Sequence, residues 1–254
     1  YCDDEGRVLV KALAMNVVER ITNQEAIVDS IKTEEKQQGP PLPFNLSSLQ
    51  IAAAKQFSMN AKMVLDVCQA LYEKHKLITY PRSDCRYLPK EQLKQASAII
   101  DILSQAKLPC AKQAQNADKN IKSKAWNDKK ITAHHAIIPT EKSPNNSQLN
   151  PFEKNIFLLI VRQYLVQFYP VYRYQQTSLT VKIAEGLFTT NAKRLQQLGW
   201  KALFPVKKEK REDEYQESSL PHLTQGQMLH CQRGELIEKH TSPPESFTDA
   251  TLLS

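Results

Sequence analysis

The chain has 254 residues, of which 41% are hydrophobic, and a formal net charge of +7. No run of about 18 apolar residues is present, which excludes a membrane-spanning helix, and no basic, apolar leader precedes the first element. The five cysteines are scattered and include no C-x-x-C pair. This usage argues against a disulfide framework or a zinc site and favours a reducing, cytoplasmic setting.

The first part of the chain predicts a helix followed by a strand. Apolar residues at helical spacing predict a helix over residues 5–20, and a short β-branched run predicts a strand over residues 25–32. The stretch Gly39-Pro40-Pro41-Leu42-Pro43 cannot continue a helix or a central strand. We therefore expect a stiff, extended connector and a domain boundary there.

The middle of the chain predicts helices. The first covers residues 45–56, with Asn45 or Ser47 as N-cap, and the second covers residues 59–75, capped by Ser58. A third helix starts at Pro89. Residues 111–130 are polar and weakly periodic, which indicates a loop, and Trp126 within them is either an anchor into the core or a stacking surface.

A further helix and a series of short strands are predicted for the rest of the chain. Asn150-Pro151-x-Glu153 combines an N-cap, a first-turn proline and a capping-box acid at the start of an apolar helix that stops at Pro170. Alternating residues then predict strands over 177–183, 187–190, 202–206 and 228–231, with a mixed-charge loop over 207–217. We predict a mixed α+β fold, in which a helical domain (45–170) is inserted into a largely antiparallel β domain formed by residues 1–44 and 171–254.

The positive charge is concentrated in the predicted helical region. Residues 45–140 carry 15 basic and 7 acidic side chains, against 5 and 8 in residues 1–44 and 14 and 12 in residues 141–254. This excess indicates a polyanionic partner such as nucleic acid, although lysines that simply solvate helix surfaces would give the same count.

Within this basic region lies the stretch Leu77-Ile78-Thr79-Tyr80-Pro81-Arg82-Ser83-Asp84. Proline holds the preceding residue out of a helix, and residues two apart on an extended chain share a face. Tyr80 and Arg82 could therefore contact one ligand, as a hydroxyl nucleophile and a permanent cation that prefers phosphate. Taken alone, the stretch also fits a surface turn with a packed tyrosine and a solvated arginine.

These residue types suit attack of a tyrosine on a phosphodiester. A phenol ordinarily ionises near pH ~10, so a neighbouring cation has to favour the phenolate and the charge that grows on the phosphate. Arg82 can supply both effects, and a histidine can donate to the phosphate or move a proton. The ester conserves the bond energy, so religation needs no ATP, and the sequence has no Gly-rich phosphate loop. The histidine pair lies in Ala133-His134-His135-Ala136-Ile137-Ile138-Pro139-Thr140, and on a strand only one of its members would face a given site.

The stretch 77–84 resembles the active-site signature of the type IA DNA topoisomerases. Residues 41–50 and 133–140 resemble two flanking blocks of that family, residues 188–200 are similar to a strand of its β arch, and residues 247–253 are similar to the start of the block that leads back to its base. The resemblance implies that residues 1–44 and 171–254 form the β arch and the start of that return, and that residues 45–170 form the helical cleavage domain.

The resemblance also implies roles for individual residues. Tyr80 matches the nucleophile that forms a 5′-phosphotyrosine link to single-stranded DNA, and Arg82 matches the arginine beside the scissile phosphate. His134 matches a phosphate contact or proton mediator, whereas His135 falls where relatives often carry glutamate. The remaining motif residues, expected to lie along the DNA, are Ser83, Asp84 and Thr140.

The family's Mg²⁺ is held by an acidic Toprim domain, and no part of this sequence matches that domain. Because Tyr1 is not an initiator and Ser254 ends in unfinished sequence, we expect an excised fragment that lacks the Toprim and base domains and cannot relax DNA alone. The alternative is a non-catalytic module that binds single-stranded DNA. A tyrosine recombinase or type IB enzyme would instead require several active-site arginines, and only Arg82 and Arg86 lie near Tyr80 in the sequence.

Overall fold

The computed structural model of the chain describes residues 3–4, 7–204, 220–244 and 246–252. The fold consists of two compact units. The first, here called the sheet unit, comprises residues 1–36, 173–196 and 206–244, and the second, the helical unit, comprises residues 37–172, 197–205 and 245–254. The correspondence of these units to the predicted domains at 1–44, 45–170 and 171–254 stays a prediction.

The sheet unit is built on one antiparallel sheet. Its strands are β1 (Gln24–Gln38), β2 (Tyr172–Ile183), β3 (Gly186–Gln197) and β4 (Met228–Cys231), in the order β3-β2-β1-β4. β4 pairs with the start of β1, with Gln24 opposite Cys231. β2 and β3 are joined by Ala184 and Glu185, both at positive φ, which is the backbone of the tight turn that suits the twist of a hairpin. The prediction of a mixed α+β fold with an antiparallel sheet is confirmed.

The helical unit forms the larger core. Its helices are α2 (Leu46–Phe57), α3 (Ala61–Glu73), α4 (Leu93–Ser104), α5 (Ala111–Gln115), α6 (Pro151–Leu165) and α7 (Asp249–Leu252). α6 packs against α2 and α3, and α4 packs against α5. The fully buried side chains at its centre include Leu49, Val64, Leu71, Ile100, Ile156, Phe157 and Tyr164. One described helix, α1 (Lys11–Ile21), belongs to the sheet unit.

The sequence signals at the start of α6 are confirmed. Asn150 Oδ1 accepts a hydrogen bond from Glu153 N, and Glu153 Oε2 accepts one from Asn150 N, with Pro151 in the first turn. The helix ends at Leu165, and a 3₁₀ turn over Val166–Phe168 carries the chain to Pro170. Trp126 is an anchor into the core, because its ring is buried and lies 5.2 Å from the ring of Phe168.

The proline connector continues neither a helix nor a strand, as predicted, and polar side chains hold it in place. Proline offers no N–H, so this segment lacks the donors for a backbone ladder, and its carbonyls need donors from elsewhere. Gln167 Nε2 donates to the Pro41 carbonyl, and Gln163 Nε2 donates to the Leu42 carbonyl, both at 2.7 Å. Arg86 donates to the carbonyls of residues 42 and 43, each at 3.0 Å. The connector is thereby fixed against α6 and the loop that follows Tyr80.

Several local predictions were wrong. The helix predicted over residues 5–20 begins only at Lys11, and the strand predicted over residues 25–32 extends to Gln38. Ser58 does not cap α3: its φ of 55° is left-handed and ends α2, and Asn60 Oδ1 accepts from Met63 N instead. The loop predicted over residues 111–130 contains α5 and a 3₁₀ turn.

The strand predicted over residues 202–206 is also wrong for its described part, residues 202–204, since Gly199–Leu203 form a 3₁₀ helix. Gly199 has a φ of +52°, and a Cβ there would lie 2.3 Å from the Pro170 carbonyl oxygen. Trp200 follows at once, and its Nε1 donates to the Gln38 carbonyl at 2.9 Å. Burial of this indole against the helical core overrides the strand propensity of the apolar run. The loop predicted over residues 207–217 lies outside the described residues.

Candidate active site around Tyr80

The two sequence blocks at 77–84 and 133–140 form one short antiparallel pair in the helical unit. Ile78 lies opposite Pro139, Thr79 N donates to the Ile138 carbonyl at 3.0 Å, and Thr140 N donates to the Leu77 carbonyl at 3.0 Å. The aliphatic side chains of this pair are buried in the core. The pair is therefore a rigid base for the residues that follow Thr79 and precede Ala136.

The Thr79 side chain replaces one backbone bond of this pair. In the register set by Ile78 opposite Pro139, Ile138 N would donate to the Thr79 carbonyl, but it donates to the Thr79 hydroxyl instead. The Thr79 hydroxyl donates to the Ala136 carbonyl at 3.1 Å and accepts from Ile138 N at 3.0 Å. One side chain thus crosslinks the two blocks on the residue directly before the tyrosine.

Tyr80 leaves the pair and lies partly in solvent, with 37% of its surface exposed. Its ring centroid is 4.3 Å from that of His134, at an interplanar angle of 36°, and 5.8 Å from that of Tyr72, at 85°. Aromatic contacts of this kind hold a ring by its faces and edges while leaving the polar end free. Among the described residues, the Tyr80 hydroxyl has no hydrogen-bond partner.

The two arginines near Tyr80 differ in availability. Arg86 is half-buried and committed to the connector carbonyls described above. Arg82 is exposed, and over the described part of the chain its guanidinium forms no ion pair or hydrogen bond. We expected Tyr80 and Arg82 to lie on one face of an extended chain. The chain instead turns at Pro81 and Arg82, so the extended segment ends at Tyr80. Arg82 is the arginine left free to contact an anion on this surface.

The adjacent histidines precede the paired residues of the second block, and their surroundings differ. His134 is exposed and lies against Tyr80. His135 is half-buried, and its Nδ1 lies 2.8 Å from the Ala136 carbonyl. A carbonyl only accepts, so Nδ1 carries the hydrogen and Nε2 is the free ring atom. Of the pair, only His134 is in ring contact with the tyrosine.

The other motif residues have partners within the protein. Ser83 is 1% exposed, and its hydroxyl accepts from Cys85 N at 3.1 Å. The Thr140 hydroxyl donates to the Lys76 carbonyl at 2.6 Å. Asp84 is exposed and accepts from the Thr132 hydroxyl at 3.1 Å. The Ser83 and Thr140 hydroxyls therefore hold nearby backbone in place, whereas the Asp84 side chain is exposed to solvent.

Two residues of this site were not identified from the sequence. Tyr72 belongs to the apolar stripe of α3, where an aromatic ring is indistinguishable from a core residue, and its contact with Tyr80 depends on the tertiary fold. Thr79 lies inside a β-branched run, and its two hydrogen bonds to the second block can be inferred only once the pairing of the two blocks is known.

The described residues offer no metal centre and no membrane span. Within residues 3–4, 7–204, 220–244 and 246–252, no three His, Cys, Asp or Glu side chains converge as a metal site would require. No helix in the same part of the chain is both long enough and apolar enough to cross a bilayer. The residues present here therefore do not fit a Mg²⁺ ion.

Comparisons with known proteins give one consistent result. A family model described as DNA topoisomerase matches residues 1–254. The chain is 50% identical over 261 residues to DNA topoisomerase 3 of Haemophilus influenzae and 44% identical over 254 residues to that of Salmonella typhimurium, and it spans 38% of the length of each. It also matches the fold of full-length topoisomerase I from Thermotoga maritima, with a TM-score of 0.68 and 18% identity, over 98% of this chain and 40% of that one.

Proposed function

Because this chain belongs to the type IA DNA topoisomerase family, we propose that Tyr80 is the nucleophile of a DNA-cleaving and religating enzyme. The chain spans 38% of its curated relatives, so it would supply the nucleophile and part of the gate. The whole protein would pass a strand through the break and thereby relax or decatenate DNA.

The proposed reaction is a reversible exchange of esters. The Tyr80 oxygen attacks a backbone phosphorus, the bond from phosphorus to the 3′ oxygen breaks, and the 3′ oxygen leaves as a hydroxyl after gaining a proton. The 5′ phosphate stays on Tyr80 until the 3′ hydroxyl attacks in turn and restores the strand. Arg82 would neutralise the phosphate oxygens, and His134 would donate to them or move the proton.

The observation that carries this proposal is the convergence of the two blocks on one exposed tyrosine. The Tyr80 ring is held between His134 and Tyr72, while its hydroxyl has no protein partner among the described residues. A tyrosine that served only the core would be buried, with a satisfied hydroxyl. The free Arg82 guanidinium beside it in sequence supports a phosphate as the missing partner.

The substrate and its surroundings follow from the same family membership. The basic excess of residues 45–140 supports DNA as the polyanion, and we propose single-stranded DNA at Tyr80, in the cytoplasm of a bacterium. We propose Mg²⁺ for the whole enzyme, bound by a Toprim domain outside this chain, and no ATP. We also propose that residues 45–170 act as the cleavage domain and that residues 1–44 and 171–254 act as the β arch.

The decisive experiment asks whether Tyr80 becomes covalently attached to DNA. The chain, supplied with the upstream domain, is incubated with a labelled single-stranded oligonucleotide, and the adduct is counted after denaturation. We expect a 5′-linked adduct that Tyr80→Phe abolishes. Tyr87→Phe is the matched control, because Tyr87 also lies in the helical unit and contacts Lys130 through its hydroxyl, at 3.2 Å.

Each other outcome of that experiment selects a different function. If the wild type binds the oligonucleotide but gives no more adduct than Tyr80→Phe, the chain is a non-catalytic module that binds single-stranded DNA. A 3′-linked adduct would identify the type IB or recombinase chemistry instead. Relaxation of supercoiled DNA by the isolated chain would refute the claim that a further domain is needed.

The two histidines can be separated in the same assay. His134→Ala should slow adduct formation by about 10²-fold, the usual size of a general acid or base contribution. His135→Ala should leave the rate within a few-fold of wild type, because His135 is not in ring contact with Tyr80. Equal and negligible losses would show that both histidines are structural.

A further inference from the structure

Tyr72 contacts the Tyr80 ring from outside the two blocks at 77–84 and 133–140. It is the second-last residue of α3. The two ring centroids are 5.8 Å apart and the ring planes meet at 85°, which is the edge-to-face arrangement that aromatic pairs favour. Both residues belong to the helical unit, so the contact lies within one compact body.

Tyr72 is itself held firmly. Its side chain is half-buried and packs against the hydrophobic core of the helical unit, and the preceding residue, Leu71, is fully buried. Lys76 Nζ lies 5.7 Å from the centroid of the Tyr72 ring, within the range of a cation–π contact. The helix and the core therefore fix the position of the ring that Tyr72 presents to Tyr80.

The side chain of Tyr80 depends on ring contacts for its orientation. Its backbone is fixed on both sides, by the hydrogen bonds of Thr79 and by Pro81. Its hydroxyl, however, has no hydrogen-bond partner in the part of the chain that the structure describes. The second ring in contact with it, that of His134, is exposed and has a chemical task in the proposed reaction. The contact with Tyr72 is the one made by a ring that the core holds in place.

We propose that Tyr72 is a positioning residue, whose ring holds the Tyr80 phenol in the orientation from which its oxygen attacks phosphorus. The proposal rests on the proposed function, in which Tyr80 is the nucleophile. Attack requires reacting atoms about 3–3.5 Å apart and aligned, and an unrestrained side chain populates several rotamers. Loss of the Tyr72 ring therefore lowers the fraction of Tyr80 that is ready to react. In this role Tyr72 neither moves a proton nor contacts the phosphate.

The test measures single-turnover adduct formation by the chain, supplied with the upstream domain, on a labelled oligonucleotide. Tyr72→Leu should lower the rate constant about three- to tenfold, the contribution of one aromatic pair. The affinity for the oligonucleotide and the final amount of adduct should stay near wild type, because cleavage and religation share one transition state. A variant that was merely unfolded in part would instead lower the amount of adduct and keep the rate constant. Tyr72→Phe keeps the ring and should remain within about twofold of wild type.

The pH dependence of the same rate constant distinguishes positioning from proton transfer. A residue that only orients Tyr80 lowers the rate by the same factor at every pH, so the profiles of Tyr72→Leu and wild type should be parallel. A residue that donates or accepts a proton changes the shape of the profile when it is removed. A change of shape in Tyr72→Leu would therefore overturn the positioning role.

Tyr174→Leu is the matched control. It also removes a half-buried tyrosine ring that lies 5.7 Å from a lysine Nζ, in this case that of Lys193, but Tyr174 belongs to the sheet unit. It should leave the rate of adduct formation unchanged. Equal slowing by Tyr72→Leu and Tyr174→Leu, or equal slowing by Tyr72→Phe and Tyr72→Leu, would each overturn the proposal.

Fluorine NMR of the chain labelled with fluorotyrosine tests the ring contact without DNA. The signal that disappears in Tyr80→Phe belongs to Tyr80, and Tyr72→Leu should move it towards the position of free fluorotyrosine, whereas Tyr174→Leu should not. If the wild type forms adduct but Tyr72→Leu neither moves this signal nor slows the reaction, the positioning role alone is refuted. If the wild type forms no adduct, the proposed function is refuted and the positioning role falls with it.

Discussion

Thr79→Val tests whether one hydroxyl holds together the antiparallel pair formed by the blocks 77–84 and 133–140. Valine has nearly the same shape as threonine, so the change removes the bond to the Ala136 carbonyl and the bond from Ile138 N and little else. The Ala136 carbonyl keeps His135 Nδ1 as a donor, but the Ile138 amide is left buried without an acceptor. One lost net hydrogen bond and one orphaned donor amount to about 2–3 kcal/mol of unfolding free energy, a large part of the ~5–15 kcal/mol typical of a domain.

The assay can be confined to the helical unit. The chain has two tryptophans, Trp126 and Trp200, and both are buried in that unit. Their fluorescence during urea denaturation therefore reports the free energy of unfolding of the unit that carries Tyr80. Thr79→Ser is the matched control, because it keeps the hydroxyl and removes only a methyl group.

The same pair of variants should separate in the adduct assay. Thr79→Val should lower the rate of adduct formation, because it loosens the backbone pairing that positions Tyr80. The affinity for the oligonucleotide should stay near that of wild type, because the mutation changes no exposed cation. The reasoning is refuted if Thr79→Val unfolds at the wild-type urea concentration, or if Thr79→Ser is as damaging as Thr79→Val.

The remaining predictions concern stability. Gly199→Ala should destabilise the helical unit by at least about 2 kcal/mol in urea. Gly226→Ala, in the sheet unit and also at positive φ (+81°) but with nothing within 4 Å of the added Cβ, should cost its own unit only about 1 kcal/mol. Asn150→Ala should lower the unfolding free energy by about 1 kcal/mol, and Asn150→Asp, which keeps the cap, should restore most of it. Burial raises the pKa of Cys68 from 9.0 to about 12 and raises the pKa of Tyr164 as well. The folded state then binds more protons than the unfolded state above about pH 9, so unfolding free energy should fall from pH 9 towards pH 12, and less steeply in Cys68→Ala. A pH-independent free energy over that range would contradict the assigned burial.

Helix caps were predictable from the sequence wherever their chemistry is local. The reciprocal bonds of Asn150 and Glu153 span three residues, and the Asn45 cap of α2 does the same with Ser48, so residue type and spacing determine them. Ser58 and Asn60 show the limit. Both are good caps by type, and the choice between them depended on the left-handed backbone that Ser58 adopts to end α2.

Elements decided by tertiary contacts could not be predicted in the same way. The run at residues 202–206 has the composition of a strand, yet its first two residues belong to the 3₁₀ helix Gly199–Leu203. Gly199 lies against the Pro170 carbonyl and the Trp200 indole bonds to the Gln38 carbonyl, and these contacts fix that helix. The interaction partners are remote in the chain. No window of local sequence contains both sides of these contacts, so propensity alone gave the wrong structure.

The candidate site likewise combines residues that the sequence indicates with contacts that only the tertiary fold determines. Tyr80 and Arg82 were selected from the stretch 77–84 only together with the charge of the region, the histidine block and the resemblance of the whole chain, because the stretch alone also fits a surface turn. The alternation of side chains on a strand separated His134 from His135, but only the register set by Ile78 opposite Pro139 decides which of them meets Tyr80. A shift of that register by one residue would turn the second block over and change which of its side chains face Tyr80. The hydroxyl of Thr79 opposes such a shift, because it bonds to both residues that flank Ile137. The residue that specifies the site is thus one that no chemical argument about phosphate transfer would have selected.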